Sequence, residues 1–184
     1  MEATSTSRHV ELALSNPDEL TLLESRIRQE HRLLRHQIRM VEMYAKEAML
    51  IEDPAASKQL VLQLEDQLEQ FVMDLERHAA WEQTELYPLL LAYYHHDSSP
   101  TIRPSFWVLE KEYQLGISFI QSFHEAISQM AGCACDCTGR SCASEAAAHL
   151  VQACLIFNDH FTMEEELVLP MTDKVLTDLD YFFS

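Results

Sequence analysis

Glycine is nearly missing from this chain, with three residues in 184, and proline is sparse at six. There is no run of alternating polar and apolar residues and no Asn-Gly hairpin signal, so a β architecture is excluded. Positive charge is also scarce, with 13 Lys and Arg against 30 Asp and Glu and a formal net charge of −17. A surface of that sign repels phosphate backbones and anionic lipid, so neither nucleic acid nor membrane is an expected partner. No stretch approaches the roughly 20 apolar residues of a membrane span. Residues 1–16 hold no apolar run of signal-peptide length, and a cytoplasmic chain is expected. The five cysteines are an odd number, and reduced thiols are expected rather than disulfides.

What is abundant is Leu, Ala, Glu and Gln, which is helix composition, in a length that suits one domain over 1–184. Asn16-Pro17-Asp18-Glu19 reads as a helix start, followed by the stripe Leu20, Leu23, Ile27, His31, Leu34, Ile38, Val41, Ala45. Asp53-Pro54 starts a second helix that runs to about Tyr94, with Pro88 kinking it or ending its regular part. A third spans about Pro104 to Met130, with the stripe Phe106, Leu109, Tyr113, Gly116/Ile117, Ile120, His124, Ile127. A fourth begins near Ser144-Glu145. The expected fold is an all-α, up-down-up-down antiparallel four-helix bundle over about 18–171. A cysteine-rich loop at 131–143 and a short C-terminal helix at 172–184 that caps the bundle complete it.

Polar residues interrupt these stripes in a repeated way. On Leu64, Leu68, Phe71, Leu75, His78, Glu82, Leu86, an imidazole and a carboxylate stand one turn apart where the core belongs. The arrangement recurs on Leu150, Ala153, Phe157, His160, Glu164, Leu167, and in both copies a proline follows the histidine by ten residues (Pro88, Pro170). A buried carboxylate without a partner costs several kcal/mol, roughly, so something must pair with it. Two such pairs on facing helices suit a dinuclear metal site. The other reading of the same residues, two buried hydrogen-bonded networks without metal, stays open.

Counted from the bundle end where the first helix finishes, His31, His78, Tyr113 and His160 fall at levels that agree to within about 12 Å. His31, His78, Glu82, Tyr113, His160 and Glu164 are therefore the candidate set. His124 lies eleven residues beyond Tyr113, about 16 Å deeper, and belongs to core or interface. His36 points to one side, and His95 and His96 sit past a helix end. Cys133, Cys135, Cys137 and Cys142 lack the paired C-x2-C knuckles of a zinc site. Soft-metal binding, a redox switch and an idle loop all remain open for them. Cys154 reads as helix packing.

The segments Glu30-His31-Arg32-Leu33-Leu34-Arg35, His78-Ala79-Ala80-Trp81-Glu82 leading to Leu86-Tyr87-Pro88, and His160-Phe161-Thr162-Met163-Glu164-Glu165 leading to Leu169-Pro170 resemble the hemerythrin-like (HHE cation-binding) family across about 18–171. The resemblance implies a non-haem di-iron centre, oxo- or hydroxo-bridged, with Mn or a mixed pair as variants. Under that geometry Glu82 and Glu164 bridge two metals, and His31, His78 and His160 are terminal ligands. Where the family carries a histidine on the third helix this chain has Tyr113, a hard oxygen donor suited to ferric iron. The resemblance also implies O2, NO or peroxide as the small ligand. Binding or sensing of such a ligand is the expectation. A di-iron oxidoreductase consuming peroxide or NO is the alternative, and a metal-free helical interaction domain a lesser one. Any protein partner is unknown at this stage.

Overall fold

A computed structural model describes residues 17–94, 103–132 and 139–183. Its elements are α1 (Pro17–Leu50), α2 (Pro54–Trp81), a π-helical turn (Glu82–Leu86), α3 (Tyr87–Tyr94), α4 (Arg103–Gly132) and α5 (Gly139–Phe183). Among the described residues every element is helical, so the chain is the expected all-α bundle. The start of α2 follows its sequence signal. Asp53 accepts a hydrogen bond from the Ala55 amide at 3.2 Å, and Pro54 occupies the first turn, where its missing N–H is no loss. Asn16, expected to cap α1, lies outside the described residues, as do His95 and His96.

The long helices α1, α2, α4 and α5 alternate in direction, and α3 continues α2 through the π turn. The Ser57 hydroxyl donates to the Ala48 carbonyl, Gln37 donates to Asp74, and His31 meets His78, so α1 and α2 pair with rising separation. The Arg35–Thr162 and His31–Glu165 contacts set α5 antiparallel to α1. Tyr113–Phe157 and Phe119–His149 do the same for α4 and α5. The predicted stripes are the buried faces of α1 and α2: Ile27, His31, Leu34, Ile38, Val41 and Ala45 on one, Leu64 to Leu86 on the other.

Three local expectations are corrected. On α4 the buried residue after Ile120 is Phe123, and His124 is exposed, with Nδ1 3.5 Å from Glu65 across on α2. The run 116-120-123-127-130 takes its three-residue step directly after Ile120, where the sequence stripe assumed a step of four. The segment after Pro170 is no separate helix. α5 continues through the proline, which is exposed, because Met171, Thr172 and Val175 beyond it are buried. One lost backbone bond is outweighed by that burial. Finally, the flanks of the expected 131–143 loop are helical, as α4 reaches Gly132 and α5 begins at Gly139. Cys133, Cys135 and Cys137 lie outside the described residues. Cys142 is a half-buried thiol within α5, and Cys154 is buried with its sulfur 3.7 Å from the Ile38 carbonyl.

The apolar interior is divided. One cluster joins Leu34, Leu68, Phe71, Phe123, Phe157 and Phe161. A second joins Ile27, Trp81, Leu86, Leu90, Leu109 and Val175 at the other end. Between them lies a layer of buried polar side chains, among them His31, His78, Glu82, His160 and Glu164.

Candidate metal centre

Each of those five residues is at most 4 % exposed, and each sits at a stripe position fixed by helical periodicity. His31 Nε2 and His78 Nε2 face each other at 3.0 Å. His78 Nε2 is 2.7 Å from Glu82 Oε1, and His31 Nε2 is 3.3 Å from Glu164 Oε2. The donor atoms of His31, His78, Glu82 and Glu164 all lie within 4.8 Å of one another.

The outer nitrogens decide what the inner ones can be. His78 Nδ1 is 2.7 Å from Glu30 Oε2, and His31 Nδ1 is 2.9 Å from Glu165 Oε1. A carboxylate only accepts, so each Nδ1 must carry the proton and donate it. In the neutral imidazole both Nε2 atoms are then lone pairs, turned toward two carboxylates. Four acceptors meet with no proton among them, which is what a cation requires. With both rings neutral, the buried Glu82 Oε1 and Glu164 Oε2 have no hydrogen-bond donor. The donor set therefore fits a metal ion, and imidazole with carboxylate suits iron, manganese or zinc.

Without a cation, protons must fill the gap. Burial alone would lower the His78 pKa, but hydrogen bonds to Glu30 and Glu82 outweigh it and hold the ring at about 10. Burial, then the charge of Glu164, pushes Glu82 up to about 8. Against the burial of Glu164, its hydrogen bond with His31 keeps the carboxyl low, at about 2.

His160 is the fifth member and sits at the edge. Its Nε2 is 3.8 Å from Glu164 Oε2, and its Nδ1 is buried and unpartnered, 3.9 Å from Glu112 Oε2. Burial holds His160 below the usual histidine range, so it offers a neutral ring. Each of the three histidines thus has a carboxylate on its outer side: Glu165, Glu30 and Glu112. Beyond His160 a cavity of about 550 Å³ is lined by Glu82, Tyr87, Phe106, Trp107, Tyr113 and His160 among others.

Tyr113 is half-buried, with its ring centroid 6.5 Å from that of His160 and 6.3 Å from that of Phe157. Burial raises its pKa, and the charge that adds to this is Glu76 rather than any member of the centre. The phenol that touches the carboxylates is Tyr87. Its hydroxyl donates to Glu164 Oε1 and lies 3.4 Å from Glu82 Oε2. Stripe reasoning missed Tyr87, Glu30, Glu165 and Glu112. Glu30 and Glu165 adjoin ligand candidates in sequence yet serve a histidine on another helix. Pro88, one residue after Tyr87, was the available sign of irregular helix.

No helix among the described residues is long and apolar enough to cross a membrane. No curated protein and no solved structure was found to match the chain. The model of the hemerythrin HHE cation-binding domain matches residues 22–172, a range that holds His31, His78, Glu82, His160 and Glu164. The chain belongs to the hemerythrin HHE cation-binding domain family.

Proposed function

We propose that this chain is a non-haem iron protein whose polar layer holds two irons and binds O2 or a related small oxidant. The observation that carries the reading is the inward arrangement of His31, His78, Glu82 and Glu164, whose ligand atoms lie within 4.8 Å of one another, with the outer nitrogen of each of these histidines tied to a carboxylate. Glu82 and Glu164 are the proposed shared carboxylates, with His31 and His78 on one side and His160 on the other. The iron would supply the electron that a bound oxidant takes up. The protein orients the rings of His78 and His31 through Glu30 and Glu165, and it excludes water with Phe161, whose ring lies 4.7 Å from that of His31.

The cavity beside His160 supports a second reading, an oxidoreductase that consumes peroxide or NO. At about 550 Å³ it is larger than a diatomic molecule needs, and it gives reactants a route to the centre. The test is anaerobic loading with ferrous iron, metal analysis after desalting, and absorption spectra before and after O2. About two irons per chain and a reversible spectral change support binding. Sustained loss of added peroxide or NO supports turnover instead. A chain that retains no iron would sink both.

A further inference from the structure

The π turn has a specific effect on one side chain. On a regular α-helix Tyr87 would stand about 140° round from Glu82, since five residues at 3.6 per turn make 500°. Here the Tyr87 amide donates to the Glu82 carbonyl, an i→i+5 bond, which brings the two side chains to one face. The turn ends two residues before Pro88, whose ring would crowd the Thr84 carbonyl in a regular helix. The result is a phenol whose oxygen touches Glu164 of α5 and approaches Glu82 of its own turn. Its ring is fixed by stacking on Phe106, with centroids 4.4 Å apart and planes at 18°.

We propose that Tyr87 is itself a metal ligand, its oxygen binding the ion that Glu82 and Glu164 share. The assignment rests on the reading of the centre as an iron site and adds a donor to it. On binding, the phenol O–H breaks, an oxygen–metal bond forms and one proton leaves, with the cavity that Tyr87 lines as its path to solvent. A phenolate is a hard donor and favours the ferric ion over the ferrous one. Tyr113, the phenol that sequence spacing singles out, has no hydrogen bond to either carboxylate.

Ferric-loaded wild type, Tyr87→Phe and Tyr113→Phe chains test the assignment, each with its iron content and its proton release measured. Wild type and Tyr113→Phe are expected to show a visible phenolate-to-iron charge-transfer band. Tyr87→Phe is expected to lose the band, keep its iron and release one proton fewer per site. Tyr87→His, which keeps a donor at the position, is expected to hold iron without the band. A band that survives in Tyr87→Phe or Tyr87→His overturns the assignment, as does one that vanishes in Tyr113→Phe. Iron-loaded wild type without any such band also overturns it while leaving the iron site standing. Wild type that takes up no iron removes the site and the assignment together.

Discussion

Metal uptake by this centre is expected to release protons, and its affinity is expected to climb with pH. His78 has a carboxylate at each ring nitrogen, at 2.7 Å on both sides, so the metal-free ring holds a proton at Nε2 that a metal must displace. Glu82, held up at about 8, keeps a second proton for most of the time at neutral pH. The number displaced is therefore between one and two per ion bound to this pair. Each proton displaced contributes about tenfold in affinity per pH unit, or about 1.4 kcal/mol. Between pH 6 and 8 the gain is about 100-fold for one proton and about 10⁴-fold for two. Both pKa values are raised in the folded state, so the metal-free fold loses stability as pH rises. Glu82 contributes that loss between its ordinary value of 4.5 and about 8, and His78 between 6.5 and about 10. Calorimetric titration with Zn²⁺ or Mn²⁺ in buffers of different ionisation enthalpy, at pH 6, 7 and 8, counts the protons directly. A pH-independent affinity with no proton released would refute the assignment of His78 Nε2 as an inward-facing donor.

Three further outcomes follow from contacts already described. Replacing Glu30 or Glu165 by Gln removes the charged acceptor from the His78 or His31 Nδ1–H, and metal affinity should fall about 10- to 100-fold by chelator competition. Equal affinity in both variants would show that the rings need no such orientation. Gly116→Ala places a Cβ 2.5, 2.7 and 2.9 Å from three ring carbons of Phe157. Against a helix-propensity gain of about 1 kcal/mol stands an overpacking cost of about 1–3 kcal/mol, a net loss of up to about 2 kcal/mol, so the melt should drop by up to about 8 °C. A rise in melting temperature would mean that Phe157 moves aside freely. Free metal at 100 times its Kd should raise stability by about 2.7 kcal/mol, and a melting curve unchanged by complete chelation would contradict the metal reading.

The parts of the site that the sequence reveals are those that obey one helical period. His31 keeps register with Ile27 and Leu34, and His78 and Glu82 with Leu75 and Leu86, so spacing alone placed them inward. Tyr87 escaped because the i→i+5 bond of the π turn brings it round to the face of Glu82, and no stripe drawn at 3.6 residues per turn can include it. Glu30 and Glu165 escaped for a different reason. Their targets are set by the distance between helices, which periodicity within one helix does not encode. His124 and Phe123 show the limit on an ordinary helix, where a single choice between a step of three and a step of four exchanged an exposed ring for a buried one.

The polar layer that parts the two apolar clusters also bears on how the bundle opens. Two regions that share no buried apolar contact across the layer can exchange their amides separately, as cooperative units of unequal depth. The end built from Ile27, Trp81, Leu86, Leu90, Leu109 and Val175 is the smaller unit, and in the metal-free chain its amides are expected to exchange first. A cation drawn to residues of α1, α2 and α5 at once would act as a rivet through the seam. It would tie the opening of the small end to that of the whole molecule, so that the state of the centre is legible in the protection of amides far from it.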